Sequence, residues 1–161
     1  MKVKVCSGNI IEVKYTVLQD FLMKKSLVIT NGWKKDTKFT LSENKEEIVI
    51  ITGNLKVWIN KSTNAIRFTD LKGLTILSED GENGKNMTPA VIAGLQVNNC
   101  TTQFLSPANE ALFGLGCHPE DSLSINYKGR NQDLVIKYMT GAIPVISVSY
   151  THLTLPTNRE V

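Results

Sequence analysis

Residues with a β-branched side chain dominate this sequence and constrain its fold more than any other feature. Valine, isoleucine and threonine together occupy 42 of the 161 positions. Their χ1 angles are restricted, so they fit a pleated sheet better than a helix. They also alternate with polar residues, as in the run from Ile11 to Val17. The sequence therefore predicts a chain built mainly of β-strands.

Turn-forming pairs such as Gly53-Asn54 and Lys128-Gly129 separate the strand-like segments. Short strands between frequent turns are typical of an antiparallel β-sandwich. Only 18–25 and 108–113 are predicted to form helical turns, and the polar stretch 79–87 is predicted to be a long exposed loop. The predicted strands are 2–6, 11–17, 37–42, 46–52, 55–59, 65–69, 74–78, 100–105, 123–127 and 133–138.

Composition excludes several classes of protein. The length of 161 residues predicts one domain. Eighteen basic and 15 acidic residues give a net charge of +3, which is too small a bias to indicate binding to nucleic acid. No apolar run approaches the roughly 18 residues of a spanning helix, so no membrane span is predicted. Three cysteines do not indicate a disulfide-based fold.

The sequence contains no recognisable catalytic set. Cys117 and His118 are adjacent, but neighbours along a strand point to opposite faces, so a buried free cysteine is the simpler interpretation. Glu120 and Asp121 are likewise adjacent and cannot face each other across a glycosidic bond. The cysteines lack the paired spacing of a zinc site, and the G-x-G at 114–116 lacks the third glycine of a nucleotide-binding loop. Neither a metal nor a cofactor is predicted.

Four aromatic residues are candidates for stacking on sugar rings, although an aromatic side chain in a β protein is more often part of the core. They are Trp33, Trp58, Tyr127 and Tyr138. From the residues alone, the sequence indicates a β-sandwich without its own catalytic residues.

The segment 103–144 carries three motifs in a characteristic order. The first reads Glu-x-Leu-Phe-Gly-Leu-Gly and comprises Glu110, Leu112, Phe113, Gly114, Leu115 and Gly116. The second comprises Asn126, Gly129, Asn131 and Gln132, and the third is Ile143-Pro144. In this order, the motifs resemble the N-terminal domain of glycoside hydrolase family 31, and the resemblance covers most of residues 2–146.

The resemblance implies a galactose-mutarotase-like β-sandwich that packs on a (β/α)8 barrel. In that family the barrel supplies the aspartate pair of a retaining α-glycosidase. The barrel is absent from this chain, so no residue here is assigned a catalytic role. The resemblance does imply a loop between Gln132 and Pro144 at the rim of the substrate pocket, with Lys137, Tyr138 and Met139 as contact candidates.

The implied function is an accessory domain of an α-xylosidase or α-glucosidase, inactive by itself. The implied partner is an α-linked oligosaccharide or glycoside that binds through the missing barrel. A free-standing carbohydrate-binding sandwich remains the alternative. The parent protein is expected to be periplasmic or secreted in a bacterium, but residues 1–15 do not have the pattern of a signal peptide, so the sequence does not fix the location.

The last residues do not continue the family pattern. The peptide from Val148 to Thr157, VSYTHLTLPT, resembles the conceptual translation of a transposon-based sequencing adapter. We therefore expect residues 1–147 to form the native domain and 148–161 to be a non-native tail. Met1 is interpreted as an internal methionine or a fragment edge.

Overall fold

The computed structural model describes residues 1–21, 32–33, 37–117, 126–136 and 141–148, and the backbone of 153–154. The chain divides into two compact units, Met1–Leu105 and Ser106–Val161. Every regular element within the described ranges is a β-strand, and all the strand pairs are antiparallel. The predicted all-β antiparallel sandwich class is confirmed. These ranges contain no helix, and so no helix that could cross a membrane.

In its described residues, the first unit has ten strands in three sheets. Strands β3 to β7 form a meander, and β10 extends it to a six-stranded sheet of order β10-β7-β6-β5-β4-β3. Strands β1 and β2 form one hairpin, and β8 and β9 form another. The strands are β1 (Lys2–Val5), β2 (Ile11–Lys14), β3 (Thr40–Glu43), β4 (Glu47–Ile51), β5 (Lys56–Asn60), β6 (Ile66–Thr69), β7 (Thr75–Glu79), β8 (Lys85–Ile92), β9 (Leu95–Thr102) and β10 (Phe104–Leu105).

The core of this unit lies on one face of the central strands. Its four buried side chains are Ile50, Val57, Ile59 and Ile66. Alternation along each strand and the registers Ile50↔Val57 and Ile59↔Ile66 bring them onto the same face. Burying a side chain of this size contributes about 1.5–3 kcal/mol.

The β1–β2 hairpin covers this core as a second layer. Its apolar residues Val3, Val5, Ile11 and Val13 pack against the cluster. The registers Val3↔Val13 and Val5↔Ile11 place them on one face of the hairpin. The alternating pattern from which these strands were predicted therefore marks the face that is buried against the sheet.

A buried ion pair joins β7 to the start of β8. Glu79 and Lys85 have side chains only 6% and 8% exposed, and their charged groups are in contact. A second hydrogen bond to the Glu79 carboxylate comes from the Ile66 amide at 2.8 Å, and Lys85 also donates to the Asn64 carbonyl oxygen at 3.0 Å. Each charge therefore has a charged partner and a backbone partner, as buried charges require.

The prediction of a long exposed loop at 79–87 is wrong. Only the short turn Asp80–Gly84 separates β7 from β8, and Asp80 closes it by accepting hydrogen bonds from the amides of Glu82 and Asn83. Residues 85–102 then form the β8–β9 hairpin, reversing at Ala93-Gly94. Both faces of this hairpin are largely exposed. Its strands consequently lack the alternation of apolar and polar residues that would have identified them.

The second unit contains β11 (Leu112–Cys117), β12 (Gly141–Val148) and β13 (Leu153–Thr154) in the order β11-β12-β13. The helical turns predicted at 108–113 are wrong, because a turn at 108–109 leads directly into β11. In 18–25, the described residues 18–21 are not helical, and 22–25 lie outside the described ranges.

Two predicted strands of this unit are not observed in its described residues. Residues 133–136 are irregular because the Val135 amide bonds to the Asp133 carbonyl oxygen at 3.1 Å, which folds the backbone into a tight turn. Residues 126 and 127 also lie outside any strand. The rest of 123–127, and 137–138, fall outside the described ranges.

Replacing Lys85 by methionine tests the buried ion pair. The change leaves the Glu79 carboxylate buried without a countercharge, so we expect the free energy of unfolding to fall by about 3–5 kcal/mol. Urea titration of the full chain measures this loss, with unfolding followed by tryptophan fluorescence, to which Trp58 in the sheet contributes.

Lys61→Met is the matched control, because Lys61 pairs with Glu43 at 2.5 Å on the exposed surface. Removing an exposed pair costs less than about 1 kcal/mol. Equal losses in the two variants would show that the buried pair has no special role.

Candidate functional site

The first family motif forms a sharp irregularity in β11. Gly114, Leu115 and Gly116 have φ angles of 106°, 64° and 101°, all in the left-handed region. The pairing jumps from Gly114↔Ile146 to Gly116↔Ala142, so three residues of β12 lie opposite Leu115 alone. This β-bulge changes the direction of the backbone within the sheet.

Glycine is required at both ends of this bulge for a steric reason as well. A Cβ atom at Gly114 would overlap the carbonyl oxygen of Val145, and one at Gly116 would overlap that of Gly141. The backbones of β11 and β12 approach each other more closely than any side chain permits. The Gly-Leu-Gly sequence is therefore explained by backbone geometry, with no phosphate-binding role needed.

The third motif, Ile143-Pro144, occupies the bulged part of β12. Both residues lie between the paired positions Ala142 and Ile146 and are exposed. Proline has no N–H to donate, so within a sheet it is tolerated mainly at bulges and edges. Pro144 thus occupies a position at which the ladder does not need its amide.

The second motif supports the start of β11. The side-chain oxygen of Asn126 accepts hydrogen bonds from the amides of Leu112 at 2.9 Å and Lys128 at 3.1 Å. The Tyr127 amide donates to the Leu112 carbonyl oxygen at 2.8 Å. Asn126 thus acts as a side-chain link between two backbone segments.

A tight turn follows Asn126. The Arg130 amide bonds to the Tyr127 carbonyl oxygen at 3.0 Å, and Gly129 has a φ of 72°. A type II turn requires a positive φ at its third position, which explains why glycine stands there. The exposed Asn131 and the half-buried Gln132 follow this turn.

Glu110 and Phe113 are the other residues of the first motif whose contacts the structure describes. Glu110 accepts a hydrogen bond from the Ser106 hydroxyl at 2.8 Å, which closes the turn that precedes β11. Phe113 is half-buried and lies opposite Ser147 in the sheet. The structure brings Glu110, Leu112, Asn126 and Gly129 into one local arrangement around the start of β11. Their assignment as family-specific structural residues remains a prediction.

The residues considered from the sequence for substrate contact, catalysis or metal binding give little information about a site. Lys137, Tyr138 and Met139, the substrate-loop candidates, lie outside the described residues, as do His118, Glu120 and Asp121. Cys6 is buried, and this burial raises the pKa of its thiol, which leaves it a weak nucleophile. Cys100 and Cys117 are exposed, which corrects the interpretation of Cys117 as buried. No cluster of metal-ligating side chains occurs in the described part of the chain.

The aromatic candidates have internal partners. The Trp58 indole nitrogen donates to the Thr69 hydroxyl at 3.2 Å, and the Arg67 guanidinium lies 5.0 Å from its ring centroid. Tyr127 is buried, with Arg130 at 5.6 Å from its ring. These cation–π contacts occupy faces that a sugar would need. Trp33 is half-buried, and Tyr138 lies outside the described ranges.

The buried ion pair between Glu79 and Lys85 was not predicted from the sequence. A signal was nevertheless present, because Thr75, Leu77 and Glu79 alternate along one strand and Leu77 lies opposite the core-facing Phe68. An acidic residue at a position facing the core indicates a buried partner. Since Lys85 neutralises this carboxylate, the pair serves folding.

Gly116→Ala tests the role of the first motif. The added Cβ meets the Gly141 carbonyl oxygen and also requires a positive φ, so we expect the β11–β12 sheet to lose about 3 kcal/mol or more of stability. Hydrogen exchange of the β11 and β12 amides measures this loss. Gly141→Ala, whose added methyl meets no atom within 4 Å, should change stability by less than about 1 kcal/mol. Similar protection in both variants would contradict the steric account.

Comparison with known proteins finds similar solved structures, whereas no protein-family profile matches the chain. Among solved structures, it is similar to a family 31 α-xylosidase from Xanthomonas citri, with a TM-score of 0.64 and 31% identity over 71% of this chain and 12% of that chain.

Two further structures share the fold at 22% identity. A family 31 α-xylosidase from a soil metagenome, complexed with xylose, has a TM-score of 0.58 over 73% of this chain and 20% of its own. A family 31 dextranase from Flavobacterium johnsoniae, complexed with glucose, has a TM-score of 0.66 over 92% of this chain and 18% of its own. The chain therefore spans only 12–20% of the length of these enzymes. The resemblance indicated by the motifs is confirmed, because the chain is similar in sequence and fold to part of a glycoside hydrolase family 31 α-xylosidase.

Proposed function

We propose that residues 1–147 are the N-terminal accessory domain of a retaining α-glycosidase, an α-xylosidase or α-glucosidase. The observation that carries the proposal is the similarity to the Xanthomonas citri α-xylosidase at 31% identity. The match covers 12% of that enzyme, which leaves most of the enzyme outside the shared segment. The proposed role is to pack on the catalytic barrel and contribute a loop to its substrate pocket.

The acidic groups of the chain support an accessory role. Retaining hydrolysis needs two carboxyl groups about 5–5.5 Å apart, one as nucleophile and one as acid and base. Glu79 is the one buried acid among the described residues, and Lys85 and the Ile66 amide already occupy its carboxylate. The proposal therefore assigns the catalytic pair to the barrel.

The proposed substrate loop contains Lys137, Tyr138 and Met139. The three residues before it, Leu134, Val135 and Ile136, are exposed, with Ile136 at 77%. Consecutive exposed apolar side chains are typical of a surface that another part of a protein covers. They support a loop that lies against the remainder of the enzyme.

The proposal also treats residues 148–161 as a non-native tail. In the structure, Val148 is the last residue of β12 and pairs with Leu112, and β13 pairs with β12 at Ile146↔Thr154 and Ser147↔Leu153. Such pairing uses backbone groups that any extended peptide offers to an open sheet edge. It is therefore compatible with a segment of foreign origin.

A domain exchange tests the proposed function. The segment of the Xanthomonas citri α-xylosidase that matches this chain is replaced by residues 1–147, and hydrolysis of p-nitrophenyl α-xyloside is measured. We expect the chimera to keep kcat/KM within about tenfold of the parent, a loss of no more than about 1.4 kcal/mol in transition-state stabilisation. The chain alone should not hydrolyse the substrate.

The Gly116→Ala chimera is the control, because its β11–β12 sheet is disrupted while every substituted segment stays present. It should fall well below the unmodified chimera in activity and in thermal stability. The proposal is contradicted if the folded chimera is inactive while the isolated chain binds xylosides or glucosides. That result would instead identify a free-standing carbohydrate-binding sandwich.

A further inference from the structure

The turn between β7 and β8 contains an Asn-Gly pair that is exposed at its first residue and buried at its second. Residues 81–83 are exposed, whereas Gly84 is buried. The backbone N–H of Asn83 donates to the Asp80 carboxylate at 3.3 Å. Among the contacts of the described residues, Asn83 takes part only through this N–H. Its side-chain amide is therefore left facing solvent, where water can react with it.

Packing requires glycine at position 84. A Cβ atom there would lie 2.6 Å from the carbonyl oxygen of Asp80 and 3.0 Å from the Cβ atom of Glu79. Any other residue would therefore displace the turn, because a closely packed interior leaves no room for the overlap. The fold thus places glycine directly after an exposed asparagine. Glycine has no side chain to shield its backbone nitrogen, so this nitrogen can approach the side chain of Asn83.

Gln103 holds both ends of the same turn. The Asp80 N–H donates to the Gln103 carbonyl oxygen at 3.0 Å, and the Gln103 N–H donates to the Gly84 carbonyl oxygen at 2.9 Å. Lys85, the next residue, carries the charge that is paired with the buried Glu79. These contacts on both sides fix the length of main chain that can connect Asp80 to Lys85.

We propose that Asn83 is a site of spontaneous deamidation, and that the isoaspartate formed there weakens the base of the β8–β9 hairpin. The Gly84 nitrogen attacks Cγ of Asn83 and forms an N–Cγ bond. The Cγ–Nδ2 bond breaks, and the Gly84 amide proton leaves, through water, with the amino group as ammonia. Water then opens the cyclic imide at either carbonyl carbon. Opening at Cγ gives aspartate, whereas opening at the main-chain carbonyl carbon gives isoaspartate, in which the backbone runs through Cγ.

The two products differ in their effect on the turn. Isoaspartate inserts an additional carbon atom into the main chain before Gly84, so the bonds to Gln103 and the alignment of Lys85 with Glu79 no longer fit together. A misaligned buried ion pair is costly, because each charge loses its partner away from water. Aspartate adds only an exposed charge on an unchanged main chain. The inference concerns this turn alone and is independent of the proposed glycosidase function.

Incubation of the full chain in mildly alkaline buffer tests the proposal. We expect the tryptic peptide from Gly73 to Lys85 to gain the mass difference between an oxygen atom and an NH group, with fragmentation placing isoaspartate at 83. Asn83→Gln keeps a side-chain amide but would have to close a larger ring, so it should show no such change. The same incubation in urea measures the reaction of the unfolded chain. An Asn83 amide that stays intact in the folded chain while it is lost in urea would overturn the proposal.

A second measurement separates the effect of the backbone from that of the charge. Asn31-Gly32 is the other Asn-Gly pair of the sequence, so this measurement uses the Asn31→Gln chain. The chain modified at 83 carries an additional negative charge and is isolated by ion exchange. Its thermal midpoint should lie about 5 °C or more below that of the unmodified chain. Asn83→Asp should stay within about 2 °C of it. Equal midpoints for the unmodified and isoaspartate chains would contradict the proposed weakening of the hairpin.

Discussion

The carboxylate of Glu79 accepts hydrogen bonds from the Ile66 amide and the Lys85 ammonium group inside the larger unit. These contacts connect the first residue of β6, the last residue of β7 and the first residue of β8, and Lys85 extends them to the turn before β6 through Asn64. Since a buried charge without a partner costs several kcal/mol, the pair holds these segments in one register. The apolar core and the base of the β8–β9 hairpin both depend on this register.

A different constraint shapes the smaller unit. The backbones of β11 and β12 lie so close together that Gly114 and Gly116 cannot carry a side chain, and β12 bulges opposite them through Pro144. Asn126 then fixes the entry into β11 through the Leu112 amide. Motifs that resemble those of a glycosidase family thus specify backbone geometry.

The sequence was most informative where one face of a strand is buried. Alternation predicted β2 and β5, in which Val13, Val57 and Ile59 face the core. The observed strands β1, β4 and β6 also lie in segments that were predicted to be strands. No strand was predicted for β8 or for β9 before Cys100, because both faces of this hairpin are largely exposed. The predicted helical turns at 108–113 were wrong because the sheet pairing of Leu112 and Phe113 outweighed helix propensity. Within the candidate site, the motif residues could be named from the sequence, but the reason for each glycine required the positions of the Val145 and Gly141 carbonyl groups.

These observations connect sequence, fold and the proposed role of an accessory domain that relies on a separate catalytic barrel. Long-read sequencing of the gene across the codons that follow Ser147 tests this account most directly. The account predicts that the native reading frame departs from residues 148–161 and continues into a (β/α)8 barrel with two catalytic aspartates. A native gene that encodes this tail and then ends at a stop codon would contradict it.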